Sequence, residues 1–123
     1  MSEKPRRIVL ATDSLDPSGM GEHMLTLARA LDEEWSVTVA AYADTEGDLL
    51  SRAARSGLAI KAIDDIETFG YWLHATGTSL LHVHAGIGWE GHHIATAGLD
   101  ANIAVIRTEH LPYLLTDTDQ QQN

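Results

Sequence analysis

Two hydrophobic rhythms that cannot share one conformation alternate along this chain, and their order restricts the fold more than any single motif. Short apolar or β-branched runs, "RIVLAT" (7–12), "SVTVAAY" (36–42), "LAIKAI" (58–63), "LLHVHA" (80–85) and "NIAVIRT" (102–108), read as buried strands. Between them lie segments of helical period. Residues 20–33 set Met20, Met24, Leu27, Ala28 and Leu31 on one stripe. "TEGDLLSRAARSG" (45–57) runs from a capping Thr45 to a terminating Gly57. "DDIETFGYWLHATG" (64–77) has Asp64 and Glu67 at capping-box spacing and ends on Gly77. "EGHHIATAGL" (90–99) is a shorter helix.

The order βαβαβαβαβ predicts an α/β fold, a Rossmann-like parallel sheet of about five strands with helices on both faces. Right-handed crossovers then give the strand order 3-2-1-4-5. At 123 residues the chain can build one core and not two, so 1–123 is expected to be a single domain. The polar residues 117–123 are expected to fray.

Composition narrows the function. Eight Lys and Arg stand against eighteen Asp and Glu, a formal charge of −10, and the cations are scattered. Binding of nucleic acid through phosphate neutralisation is therefore not expected. A small anion can still be held by backbone amides and helix N-termini. The chain has no cysteine, which excludes disulfides and thiolate metal sites and fits a cytoplasmic protein. "KPRR" (4–7) is a weak signal for peripheral contact with anionic lipid on the inner membrane face, and membrane contact stays open.

In a sheet of this order, ligands bind beyond the C-terminal strand ends where the order reverses, between strands 1 and 4. Two loops meet there, "DSLDPSGMG" (13–21) and "HAGIGWEG" (84–91), with "RTEH" (107–110) one strand further on. Gly19 and Gly21 have two readings. They let the backbone approach a diphosphate, or they serve a tight loop and close helix packing. A dinucleotide site competes, since Asp44 ends strand 2 where a ribose-binding acid belongs. However, six residues separate Thr12 from Gly19, and Met24 stands where the fingerprint has its third glycine. Seven histidines are many for this length, yet no H-E-x-x-H or comparable spacing occurs, and no metal is expected. His82 and His84 share a strand face, and His23 lies early in helix 1. His74 and His82 read as structural, His84 and His110 as facing the crevice.

The segments "PSGMGEHMLTLARAL" (17–31), "LLHVHAG" (80–86) and "IAVIRTEHLPYLL" (103–115) resemble, in order and spacing, the N-terminal domain of family 4 glycosyltransferases. The likeness covers about residues 6–116. It implies one half of a GT-B fold, in which two Rossmann-like domains face across a cleft. It implies retaining transfer of a sugar from a nucleotide-diphosphate donor to a sugar-containing acceptor, without a metal or cofactor. Gly19 and the amides of Met20 and Gly21 would contact the donor diphosphate. His110 matches the family's active-site histidine, and is the catalytic candidate. His84, Trp89 and Glu109 would line the acceptor side, with Trp89 a stacking platform. Arg107 flanks them, either at the site or as an ion-pair partner.

Ser18 departs from the family, standing where its first glycine usually lies. The donor domain's two glutamates, eight positions apart, have no counterpart among the glutamates of this chain. The expectation is therefore an N-terminal, acceptor-side half that is inactive alone and lacks its C-terminal partner domain. Weak self-association through the exposed inter-domain face is expected with it. Two alternatives remain: a stand-alone Rossmann-like module working with a separate donor domain, and a nicotinamide-dependent oxidoreductase.

Overall fold

The computed structural model describes residues 6–13, 18–42, 49–85 and 91–109, with the side chains of residues 18 and 19 excepted. The elements run β1 (Arg7–Ala11), α1 (Ser18–Leu31), β2 (Ser36–Tyr42), α2 (Leu49–Arg55), β3 (Ala59–Ile63), α3 (Ile66–Ala75), β4 (Leu80–Ala85), α4 (His92–Asp100) and β5 (Ala104–Glu109). All five strands pair in parallel in the order β3-β2-β1-β4-β5, as the sequence predicts.

The helices divide between the faces as right-handed crossovers leading away from a central strand require. Side chains of α1 and α2 pack with Ile8, Leu10, Val37, Val39 and Ala41 on one face. Phe69 and Leu73 of α3, with Ile94 and Ala97 of α4, pack with Val9, Ala11, Leu81 and Val83 on the other. Each fully buried Leu, Val, Met or Phe contributes about 1.5–3 kcal/mol of transfer free energy, so the two half-cores supply the main driving force. The predicted stripe of α1 holds, with Met20, Met24 and Ala28 buried and Leu27 and Leu31 half-buried against the same core. Leu25, outside that stripe, is buried as well.

The expected N-cap of α3 shifts by one residue. Asp65, not Asp64, caps the helix, its Oδ1 accepting from the Thr68 backbone N–H at 2.8 Å. The reciprocal glutamate of a capping box is thus not used, and Glu67 instead lies in the helix's first turn, where its charge favours the dipole. Gly77 ends the helix as predicted, with φ +69°, and the Thr78 N–H donates back to the Leu73 carbonyl at 3.2 Å. α2 likewise stops before Gly57, at φ +87°. Its expected cap, Thr45, lies outside the described residues. Strand β5 begins at Ala104 and not at 102, because Asn102 adopts φ +65° and terminates α4.

Candidate functional site

The reversal of strand order falls between β1 and β4, and the chain there is fastened across the gap. Thr12 extends the β1 ladder by one bond, its N–H donating to the Ala40 carbonyl at 3.1 Å. Asp13 then turns toward α4 and accepts the Gly91 N–H on Oδ1 at 2.7 Å. A carboxylate on an amide at a helix start combines a charge-assisted hydrogen bond with the favourable end of the helix dipole. The bridge therefore ties the end of β1 to the start of α4. Gly91 has φ +82°, and a Cβ there would fall 2.8 Å from Val83 Cγ1, so the backbone lies directly on β4. Tyr42 ends β2 beside Asp13. Burial first, and the Asp13 charge second, raise its phenol above the ordinary range.

Gly19, Met20 and Gly21 are the second, third and fourth residues of α1. They form its first turn, where amides lack acceptors within the helix. The Met20 side chain is buried in the core, which anchors that turn, and Gly21 is buried too. Packing and amide presentation thus coexist, and the two readings of the glycine turn are not exclusive.

Three imidazoles join α1 to β4. The His23 ring centroid is 6.0 Å from that of His84, and His84 is 4.1 Å from His82. His84 is fully buried, so it is a covered residue beneath α1 and not an open lining of the crevice. His82 is half-buried, and its Nε2 pairs with Thr108 Oγ1 of β5 at 2.8 Å, in the structural manner expected of it. The parallel register places His82 beside Ile106 and His84 beside Thr108, so the whole row shares the α1 side of the sheet.

Arg107 and Glu109 leave β5 on the opposite, α4 side. The guanidinium Nε and Nη2 both lie 3.3 Å from Glu109 Oε2. The ion-pair reading of Arg107 is therefore the one the geometry carries, and Glu109 is engaged by it while remaining exposed. Arg107 Nη1 also lies 3.0 Å from where a Gly91 Cβ would sit, at the start of α4.

Of the site residues named from sequence, Gly19, Met20, Gly21 and His84 gather at the α1 side of the reversal, and Glu109 reaches the same sheet end from the other face. His110, Trp89, the rest of the 86–89 loop and Asp44 lie outside the described residues. Two structural contributors were not singled out: Asp13, whose only sequence signal is an acid directly after a strand, and Thr108, which the register pairs with His84. Among the described residues no three His, Asp or Glu side chains converge to hold a metal ion. Nor is any described helix long and apolar enough to cross a membrane. A cavity of about 760 Å³ lies elsewhere, between α3 and α4, lined by Gly70, Tyr71, His74, His93 and Asp100 among others. No family model and no curated protein sequence matches the chain.

Proposed function

We propose that the chain is the N-terminal, acceptor-side half of a retaining glycosyltransferase that takes its sugar from a nucleotide-diphosphate donor. One observation carries the reading. At the strand-order reversal, the second turn of α1, directly after the glycine-bearing first, meets the C-terminal end of β4 through the His23–His84 contact at 6.0 Å. A donor diphosphate would lie on the amides of Gly19, Met20 and Gly21. There the helix dipole stabilises the negative charge that grows on the leaving group. His110, following β5, would hydrogen-bond near the transferred sugar, and Trp89 and Glu109 would border the acceptor. Buried His84 would act indirectly, holding α1 against β4 at the spacing the donor needs. In this reading the base and the rest of the donor are bound by a second domain, and this chain alone binds diphosphate weakly.

The test is a calorimetric titration of the chain with a nucleoside diphosphate, a matching nucleotide sugar and NADH. The reading expects weak binding of both diphosphate ligands, with NADH binding no more tightly than its ADP moiety. Tighter NADH binding that Asp44→Ala weakens would replace sugar transfer with nicotinamide chemistry. Robust transfer by the purified chain alone would contradict the half-site assignment.

A further inference from the structure

We propose that the outer edge of β5 is a self-association surface, on which the β5 strand of a second copy pairs antiparallel about Ile106. The proposal stands independently of the sugar-transfer reading, and its surface is distinct from the crevice-facing one expected from sequence.

The two edges of the sheet are built differently. β3, at one edge, carries Lys61 at its centre, and its Nζ lies 5.3 Å from the centroid of the Trp72 ring. A charge in mid-strand is a common device against unwanted pairing, because a second strand would have to desolvate it. β5, at the other edge, has Ile106 and Arg107 at its centre, but there the central charge is engaged by Glu109, two residues on along the same strand. Among the described residues its outer side pairs with no strand. On a chain with a formal charge of −10, this edge is a locally neutralised stripe.

Apolar surface flanks the same edge on both faces. Ile106 is 47% exposed on the α1 side, where no described helix covers β5. On the other face Gly98 seats α4 on β5 so closely that a Cβ there would fall 2.8 Å from Val105 Cγ2. The next residue, Leu99, is 64% exposed and lies outside the α3–α4 cavity. Apolar side chains on both faces of a strand whose outer side pairs with no described strand match what β-strand addition uses.

Symmetry restricts the register. A two-fold axis normal to the sheet keeps each face continuous, so only residues of the same face come opposite one another. Centred on Ile106, the pairing sets Ile106 against its own counterpart, Ala104 against Thr108, and Val105 against Arg107. Centred one residue later, it would set two guanidiniums face to face, which is unfavourable. The Ile106 register also brings the two α4 helices, with their Leu99 side chains, to the same side of the joined sheet. The occupant is therefore a second copy, with Ile106 opposite its own counterpart and no two like charges directly opposite at the edge. Repulsion between two acidic chains opposes the contact at long range and is screened by salt, so association should strengthen as ionic strength rises.

Sedimentation equilibrium of the 123-residue chain at about 0.1 and 0.5 M NaCl tests this, since the screening length falls about twofold over that interval. The proposal expects a monomer–dimer equilibrium with a larger association constant at the higher salt. Ile106→Lys should lower that constant at least about tenfold, a loss of roughly 1.4 kcal/mol. Ile60→Lys on β3 should leave it unchanged, and circular dichroism checks that each variant is folded. Should Ile106→Lys fail to fold, Leu99→Ser on the helix surface should weaken the dimer in its place. Hydrogen exchange should show β5 amides gaining protection with concentration. A chain that is monomeric at both salts overturns the proposal. So does a dimer that survives folded Ile106→Lys, or one that Ile60→Lys dissolves.

Discussion

Asp13 links the electrostatics and the geometry of the site through two measurable consequences. Its carboxylate both accepts the Gly91 amide and adds a negative charge beside Tyr42. Asp13→Ala removes a charge-assisted hydrogen bond and leaves an amide at the α4 start without it, at a cost of about 1.5–3 kcal/mol by denaturant unfolding. The Tyr42 phenol should titrate lower in that variant than in the parent, yet still above its ordinary range, because burial is the larger cause and remains. Ultraviolet pH titration reads this directly. Asp65 gives a second residue-scale prediction. The Thr68 hydrogen bonds hold its carboxyl below the ordinary value, so the folded state binds the proton less readily than the unfolded chain. Its stabilising contribution is present above the unfolded pKa and is lost as pH falls through the folded one. Asp65→Ala should therefore unfold more easily than the parent at neutral pH, with the difference vanishing at pH below the carboxylate range. Asp65→Asn, which keeps an acceptor, should lose less at neutral pH.

At the scale of elements, Thr108 ties β5 to the His82 ring and so to the row that ends at His23. Thr108→Val keeps shape and removes that bond. It should cost about 1 kcal/mol and broaden or shift the His82 ring resonances while the fold persists. The sequence expressed the elements themselves clearly. Strands β2 and β4 match their expected limits because an apolar, β-branched run of strand length has few other solutions between two helices. The strand order followed from crossover handedness together with the Rossmann-like arrangement natural to this alternation. Helix ends were less legible, since they depend on which of several neighbouring polar groups reaches an amide. Only Asp64 has a glutamate at capping-box spacing, yet three-dimensional placement chose its neighbour Asp65. Asn102 ended α4 through a left-handed conformation that no pattern of hydrophobicity records. For the site, sequence order placed Gly19 in the first turn of α1 and His84 near the end of β4, two elements that meet through His23. It did not show that His84 is covered, because burial on a strand end depends on how far α1 overhangs it. The Asp13–Gly91 bond, spanning 78 positions, had no local signature at all.

At the scale of the molecule, two half-cores on either side of a five-stranded sheet form a domain with its own driving force. The purified chain should unfold cooperatively in denaturant with coincident circular dichroism and fluorescence transitions. Under the proposed half-site function it should still transfer no sugar beyond background in a nucleotide-sugar assay. Stability and catalysis would then be separable properties, the first residing in this domain and the second requiring the face across the cleft.

The central claim is that the start of α1 and the ends of β4 and β5 border one diphosphate-binding crevice. Titration of the isotope-labelled chain with a nucleoside diphosphate, followed amide by amide by NMR, measures it most directly. The account predicts shifts at Gly19, Met20 and Gly21, extending to Ala85, Gly91 and Glu109. Shifts confined to the α3–α4 groove, or to the far ends of the strands, would contradict it.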